Sequence, residues 1–372
     1  MVAQCETMNL LTTRIALDAI AYNTRLLKDM AGDAKLMAVV KADGYNHGMD
    51  KVAPVMAANG ADAFGVATIA EALALRASGI TAPILCWIWT PEQDWMSAVA
   101  ADIELAVISP QHAQALVEHP SRTVRVAIKV DTALHRSGVD EDDWDEVFTM
   151  LRDAEHIEVT GLFSHLSCAD EPHNEETDRQ AMIFRRALAR AHALGLDIPT
   201  NHLCNSPATL TRPDLHFDMV RPGVALYGME PVNGLDHGLR PAMSWIGTVT
   251  VVKPIKKGEG TSYSLTWRAE SDGYLAVVPA GYADGVPRMA QDHIRVNING
   301  HYYPQVGRIC MDKFVVFLGD NPQAVTAGDE AVIFGEQGMS ATELADALGT
   351  INYEVICRPT GRTVREYTGE DK

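Results

Sequence analysis

Six side chains able to carry charge, donate hydrogen bonds or react covalently stand at or just past short apolar runs: Lys41, Arg136, His165, Asn205, Ser206 and Arg221. Lys41 closes the run KLMAVVK and is followed by Ala42-Asp43-Gly44-Tyr45-Asn46-His47-Gly48. A cation beside a buried strand is costly unless something uses it. Desolvation lowers a lysine's pKa and frees its amine as a nucleophile, which can form a Schiff base with a carbonyl. Taken one at a time, these residues have plainer readings. Lys41 could be a solvated loop lysine, Arg136 a surface arginine, and His165 a core histidine with satisfied hydrogen bonds.

What would gather them is a repeated α/β pattern. Apolar runs occupy Lys35 to Lys41, Ala63 to Ala67, Ile84 to Trp87, Glu104 to Ile108, Arg125 to Asp131, Val159 to His165, Thr200 to Ser206 and Met219 to Gly223. Most are short and apolar without alternation, as strands buried on both faces should be. Helical spacing fills the gaps: Ile69 to Ala77 opens on Thr68 with Glu71 three residues later, a capping box, and Glu175 to Gly195 ends at a glycine. Such repeats over Thr12 to about Trp245 fit a closed (β/α)8 TIM-type barrel of roughly 250 residues, with a doubly wound open sheet as the rival. A barrel carries its reactive groups at the C-terminal ends of its strands, where the six residues stand.

After Trp245 the pattern changes to strands, with alternation in Thr248 to Ile255 and Ile294 to Ile298, turns at Asn299-Gly300 and Asp272-Gly273, and one helix over Ser340 to Leu348. The expected division is therefore an α/β barrel over 1–245 and a mostly β domain over 246–372.

Composition narrows the function classes. Of 372 residues, 47% are hydrophobic and 22% charged, as in an ordinary folded protein. The net charge of −18 disfavours nucleic acid and anionic membranes as partners. Six scattered cysteines (Cys5, Cys86, Cys168, Cys204, Cys310, Cys357) form no C-x-x-C pair, which predicts reduced thiols and no structural metal. Met1 to Leu11 lacks the basic and apolar blocks of a secretory signal, and no run of about 18 apolar residues occurs, so a cytoplasmic location is expected.

VVKADGYNHG at 39 to 48 resembles the pyridoxal phosphate lysine motif of bacterial alanine racemases. IKVDTALHRSG, GLFSHLSCAD, HLCNSPA, DMVRPGVALYG, GTSYSLTW, PAGYADGVPR, VGRICMD and NYEVIC follow in that family's order, from Thr13 to about Cys357. The resemblance implies a barrel followed by a β domain, a homodimer with active sites at the subunit interface, alanine as substrate, and D-alanine supplied for peptidoglycan.

It also implies roles. Lys41 would hold pyridoxal 5′-phosphate and act as one acid/base group, and Tyr263 would reach the opposite face from the other subunit. Two bases on opposite faces let one remove the α-proton while the other returns one to the far side. Arg221 would stand at the pyridine nitrogen, where a permanent cation makes the ring a poorer electron sink and suppresses side reactions, with His165 hydrogen-bonded to it. Tyr45, Asn205, Ser206, Gly223 and Val224 would form the cofactor and phosphate site. Arg136, with the backbone N–H of Met311 from the partner, would meet the substrate carboxylate, and Lys129 matches a position often carbamylated in the family. Tyr282 and Asp312 would line the mouth of the site. Outside the resemblance, Tyr263 reads as a strand tyrosine with its hydroxyl in water.

Two departures from the family pattern stand out: Gly361 where a phosphate-bonding tyrosine is usual, and Ala133-Leu134-His135 beside Arg136. Alternatives to the alanine reaction are a racemase of broader amino acid specificity, an amino acid decarboxylase, which would want a carboxylate in place of Arg221, and a non-catalytic pyridoxal phosphate-binding protein, which would resemble a lone barrel.

Overall fold

The strand β1 (Leu11–Ala16) does not enter the barrel. In the computed structural model, which describes residues 9–119 and 122–369, the barrel is built from β2 (Lys35–Val39), β3 (Ala63–Thr68), β4 (Ile84–Ile88), β5 (Glu104–Val107), β6 (Val124–Lys129), β7 (Ile157–Phe163), β8 (Thr200–His202) and β9 (Met219–Val220). Each falls on one of the eight apolar runs. All pair in parallel, in the order β8-β7-β6-β5-β4-β3-β2-β9. The two outer strands are stitched by Asp218 N–H to the Asn201 carbonyl (3.0 Å) and Arg221 N–H to the Cys204 carbonyl (2.9 Å), which brings the sheet round on itself. An open doubly wound sheet is thereby ruled out.

Met37, Ala63, Leu85, Ala106, Ala127, Phe163 and Met219 come from seven different strands and form one buried cluster with Trp87 and Ile108 packed on it. Large side chains set against alanines fill the interior, so the barrel is a packed core and its chemistry is confined to the mouth. The capping box forms as expected: Glu71 N–H donates to Thr68 Oγ1 (3.2 Å) and Thr68 N–H to Glu71 Oε2 (3.0 Å).

A second unit comprises β10 (Met243–Thr248), β11 (Val251–Ile255), β12 (Gly260–Thr261), β13 (Trp267–Arg268), β14 (Gly273–Val278), β15 (Arg295–Ile298), β16 (His301–Val306), β17 (Phe314–Gly319), β18 (Glu330–Phe334) and β19 (Val364–Thr368), together with β1. Its main sheet runs β11-β14-β17-β16-β15-β18-β10-β1-β19, with β1 antiparallel to β10 and parallel to β19. Among the described residues the chain thus divides into a unit within residues 20–240 and a unit made of residues 9–19 with 241–369. This corrects the expected division at 245: β10 spans that position, and the N-terminal strand belongs to the β unit. The single strand expected over Thr248 to Ile255 is broken between β10 and β11. Asn299-Gly300 is the two-residue turn it looked to be, with φ of 53° and 81° between the paired Ile298 and His301.

Candidate active site

Lys41 follows β2 and opens a turn in which Ala42, Asp43, Gly44, Tyr45 and Asn46 all have φ between 50° and 67°. Left-handed backbone costs roughly 1–2 kcal/mol per non-glycine residue, so the turn needs outside support. It has several braces. Gly44 N–H reaches the Val40 carbonyl at 2.8 Å and Asn46 N–H the Ala42 carbonyl at 2.9 Å. Glu71 Oε1 accepts from Ala42 N–H (2.8 Å) while its other oxygen caps the next helix. Beneath the turn the buried His47 donates from Nδ1 to the Tyr45 carbonyl (2.9 Å), and the Tyr227 ring packs against both Tyr45 and His47. The charge of Lys41 lies 5.9 Å from the Tyr45 ring centre.

The Tyr45 hydroxyl lies so close to Gly223 that a Cβ there would sit 2.4 Å from it, so glycine is required for this approach. Gly223 N–H and Ala225 N–H both donate to Ser206 Oγ, at 2.8 and 3.3 Å. With two donors taken up, Ser206 is left with its own O–H to offer outward. Asn205 caps the helix Ser206–Thr211 through its side chain, and Val224 opens the short 3-10 turn Val224–Tyr227.

Arg221 is buried, and its guanidinium donates to His202 Nδ1 (2.8 Å) and to the carbonyls of His202, Ser164 and Leu203. The Phe163 ring stacks on His202 at 5.1 Å and lies under the guanidinium. Burial pushes Arg221 down to about 10, which leaves it protonated at neutral pH. No carboxylate lies within ion-pair distance of it among the described residues. His202 thus takes the place that the sequence reading gave to His165. His165 lies next to Arg221 electrostatically, and burial, then the charges of Arg221, Arg136, Lys129 and Lys41, push it down to about 3.

Lys129 ends β6 with its amine donating to Ser137 Oγ (2.5 Å). Burial, then Arg136 and Arg221, push it down to about 8. Arg136 itself is exposed, on a loop folded back by Val139 N–H to the Lys129 carbonyl (2.7 Å). Asp131 Oδ1 accepts from the backbone of Ala133 and His135, both at positive φ, so the departure at 133–135 shapes this loop.

The barrel mouth therefore gathers Lys41, Lys129, Arg136 and Arg221 around His165 inside a chain of net charge −18. A cationic, partly buried pocket with a reactive-lysine candidate, an arginine lacking an anion, and hydroxyls converging on a glycine suits a ligand bearing a phosphate, an acceptor nitrogen and an aldehyde. Pyridoxal phosphate fits these residues.

Tyr263, Tyr282, Met311 and Asp312 lie together on the β unit. The first three are 69%, 46% and 58% exposed, which is far from how core residues of these types sit. Tyr282 N–H and Ala283 N–H bond the carbonyls of Cys310 and Met311 at 3.1 and 2.9 Å, fixing these segments to each other. Asp284, fully buried, accepts from Gly281 N–H (3.0 Å) and from both arms of Arg362 (2.8 and 2.6 Å). Beside it Gly361 has φ of 64°, and a Cβ there would meet the Ala283 carbonyl at 2.5 Å. A left-handed φ and a close Ala283 carbonyl make this loop path favour glycine over tyrosine at 361.

Comparison with known proteins agrees over the whole chain. The family described as "Alanine racemase, N-terminal domain" matches residues 15–231, and "Alanine racemase, C-terminal domain" matches residues 242–367. The chain belongs to the alanine racemase family. An alanine racemase of Corynebacterium efficiens is 81% identical over 367 residues, covering 98% of this chain and 100% of that one. An alanine racemase of Mycobacterium tuberculosis is 47% identical over 363 residues, 95% of this chain and 94% of that one. Among solved structures, alanine racemase from Corynebacterium glutamicum superposes with TM-score 0.89 at 62% identity over 97% of this chain and 100% of that one. Alanine racemase from Streptomyces lavendulae does so with TM-score 0.93 at 41% identity over 98% of each. Members of this racemase family share the barrel and β-sheet units found here. His202 and Asp284 escaped the sequence reading, and Glu71 was read only as a helix cap and not as a brace of the Lys41 turn; His202, inside the quoted HLCNSPA segment at the last residue of β8, carried a signal that could have found it.

Proposed function

We propose that the protein is a pyridoxal 5′-phosphate-dependent isomerase that interconverts L- and D-alanine. The reading is carried by one observation: a buried Arg221 without a carboxylate partner among the described residues, in the same barrel mouth as Lys41. Pyridoxal phosphate supplies electron withdrawal from the α-carbon of the amino acid it binds. Lys41 would hold it covalently through Nζ, Arg221 would face its pyridine nitrogen, and Tyr45, Ser206, Gly223 and Val224 would hold its phosphate. Arg221 stays protonated and His202 fixes its direction, so a guanidinium placed there would give the ring nitrogen no proton-acceptor partner. It would make the ring a weaker electron sink, which would favour return of a proton to the substrate over side reactions.

Two acid/base groups complete the scheme. Lys41 serves one face, and Tyr263 of the partner subunit serves the other, each alternately taking and giving the α-proton. Arg136, oriented by a carbamylated Lys129, would hold the substrate carboxylate, with Met311 N–H of the partner beside it. Tyr282 and Asp312 would line the mouth. The exposed Tyr263, Tyr282 and Met311 support a homodimer as the working unit. No helix among the described residues is long and apolar enough to cross a membrane, and a cytoplasmic enzyme supplying D-alanine for peptidoglycan is the setting proposed.

Chiral chromatography tests this. Purified protein with added pyridoxal phosphate should convert L-alanine toward an equal mixture, and borohydride reduction should attach the cofactor to Lys41. Unchanged optical purity would overturn the proposal.

A further inference from the structure

Tyr263 sits at the tip of a two-stranded ribbon, where Gly260 pairs with Arg268 and Thr261 with Trp267. The ribbon is rooted by Gly258 N–H to the Ala269 carbonyl (2.8 Å) and by the Trp267 ring lying 5.2 Å from Phe317. At the tip the backbone is unusual. Ser262 has φ 62° and ψ −175°, a region populated almost only by glycine, and Ser264 and Leu265 follow at φ 61° and 45°. A residue of positive φ on each side of Tyr263 aims its Cβ, and no hydrogen bond or ring contact from the described residues of its own unit holds that side chain. Within this unit the backbone alone sets where its Cα–Cβ bond points.

One side chain holds this backbone. Ser262 Oγ donates to the Arg308 carbonyl and lies 3.4 Å from Cys310 Sγ, one residue before Met311. A strained conformation persists only where neighbours over-determine it, and here the hydroxyl is the fixing contact.

We infer that Ser262 is a positioning residue for the reaction, whose hydroxyl pins the strained turn to the Arg308–Cys310 segment and so sets where the Tyr263 phenol stands. The inference rests on the proposed role of Tyr263 as second base. A base displaced by a fraction of an ångström transfers protons more slowly, while the opposite base is untouched.

The experiment compares wild type, Ser262→Ala, Ser262→Gly and Tyr263→Phe with α-deuterated L- and D-alanine in separate runs. Alanine at 262 keeps the strain and loses the hydroxyl; glycine relieves the strain and also loses the hydroxyl, so it folds even where alanine fails to. Both are expected to lower kcat/KM about tenfold, the scale of one lost hydrogen bond. The substrate isotope effect should rise for the enantiomer that Tyr263 deprotonates and fall for the other, an asymmetry that general loosening of the fold does not produce. Wild-type rates and isotope effects in both Ser262 variants, or equal changes for both enantiomers, overturn the inference. If wild type leaves alanine unchanged, or if Tyr263→Phe keeps full activity, the underlying reading fails instead.

Discussion

Arg221 donates to Nδ1 of His202 at 2.8 Å, and because a guanidinium can only donate, that nitrogen must be the acceptor and the imidazole proton must sit on Nε2. Burial and the arginine's charge hold His202 well below the usual histidine range, so the tautomer persists through the physiological pH range. The last residue of β8 thereby controls the angle of the cation at the heart of the pocket. Replacing His202 by Leu leaves one buried N–H without an acceptor. Hydrogen bonds to charged groups contribute about 1.5–3 kcal/mol, so kcat/KM for alanine should fall by roughly ten- to a hundredfold. Gln, which offers an acceptor oxygen, should recover part of it. Steady-state kinetics of the two variants checks this.

Acid should weaken the fold from a pH well above the carboxylate range. His165 is pushed down to about 3 from an ordinary 6.5, so between those values the unfolded chain binds the extra proton. Stability is therefore full above 6.5 and falls as the pH drops toward 3, with a slope of up to about 1.4 kcal/mol per pH unit for each such histidine. Thermal melts across this range should show the decline, and His165→Gln should make it shallower.

Lys129 should accept carbon dioxide. Carbamylation needs the neutral amine, which burial and the nearby Arg136 and Arg221 make available around pH 8. Adding carbon-13 bicarbonate should give a carbamate resonance that grows as the pH is raised through this value. The signal should vanish in Lys129→Met, whose KM for alanine should rise through a misplaced Arg136. A wild-type spectrum without the resonance would exclude the modification.

Restoring the tyrosine usual in the family at 361 should harm the protein. Gly361→Tyr imposes a side chain at φ 64° against the Ala283 carbonyl, and a cost of about 1–3 kcal/mol is expected from backbone strain alone. The melting temperature should drop, and the cofactor should bind no more tightly by titration. Asp284→Ala should be destabilising too, since it strips Arg362 and Gly281 N–H of their shared acceptor. Burial raises the Asp284 carboxyl, yet Arg362 and the backbone N–H outweigh it and hold it below 3.8. That pair's contribution is therefore present above this value and lost as the pH falls through the native one.

Much of this architecture was legible in the residues. The eight barrel strands are buried on both faces, so their apolar runs stood out without reference to tertiary structure, and Thr68 with Glu71 announced a helix start. Lys41, Arg136 and Arg221 could be placed at the mouth because strand ends follow directly from strands. Other features depend on distant partners. β1 lies inside the span assigned to the barrel, and only its pairing with β10 and β19, more than two hundred residues away, places it in the β unit. The choice between His165 and His202 turns on which ring faces Arg221, which register decides and spacing does not. The left-handed turn after Lys41 contains a single glycine, Gly44, so composition gave no warning of five consecutive positive φ values.

The placement of β1 also bears on how the molecule is made. Its neighbours β10 and β19 are supplied by residues 243–248 and 364–368, so the barrel is an insertion within the β unit's chain path. During synthesis Leu11–Ala16 leaves the ribosome first and waits, unpaired on both edges, while the whole barrel emerges and has time to fold. A strand with both edges open for that long is exposed to wrong pairing, so the order in which its partners are translated bears on folding as well as the stability of the finished sheet.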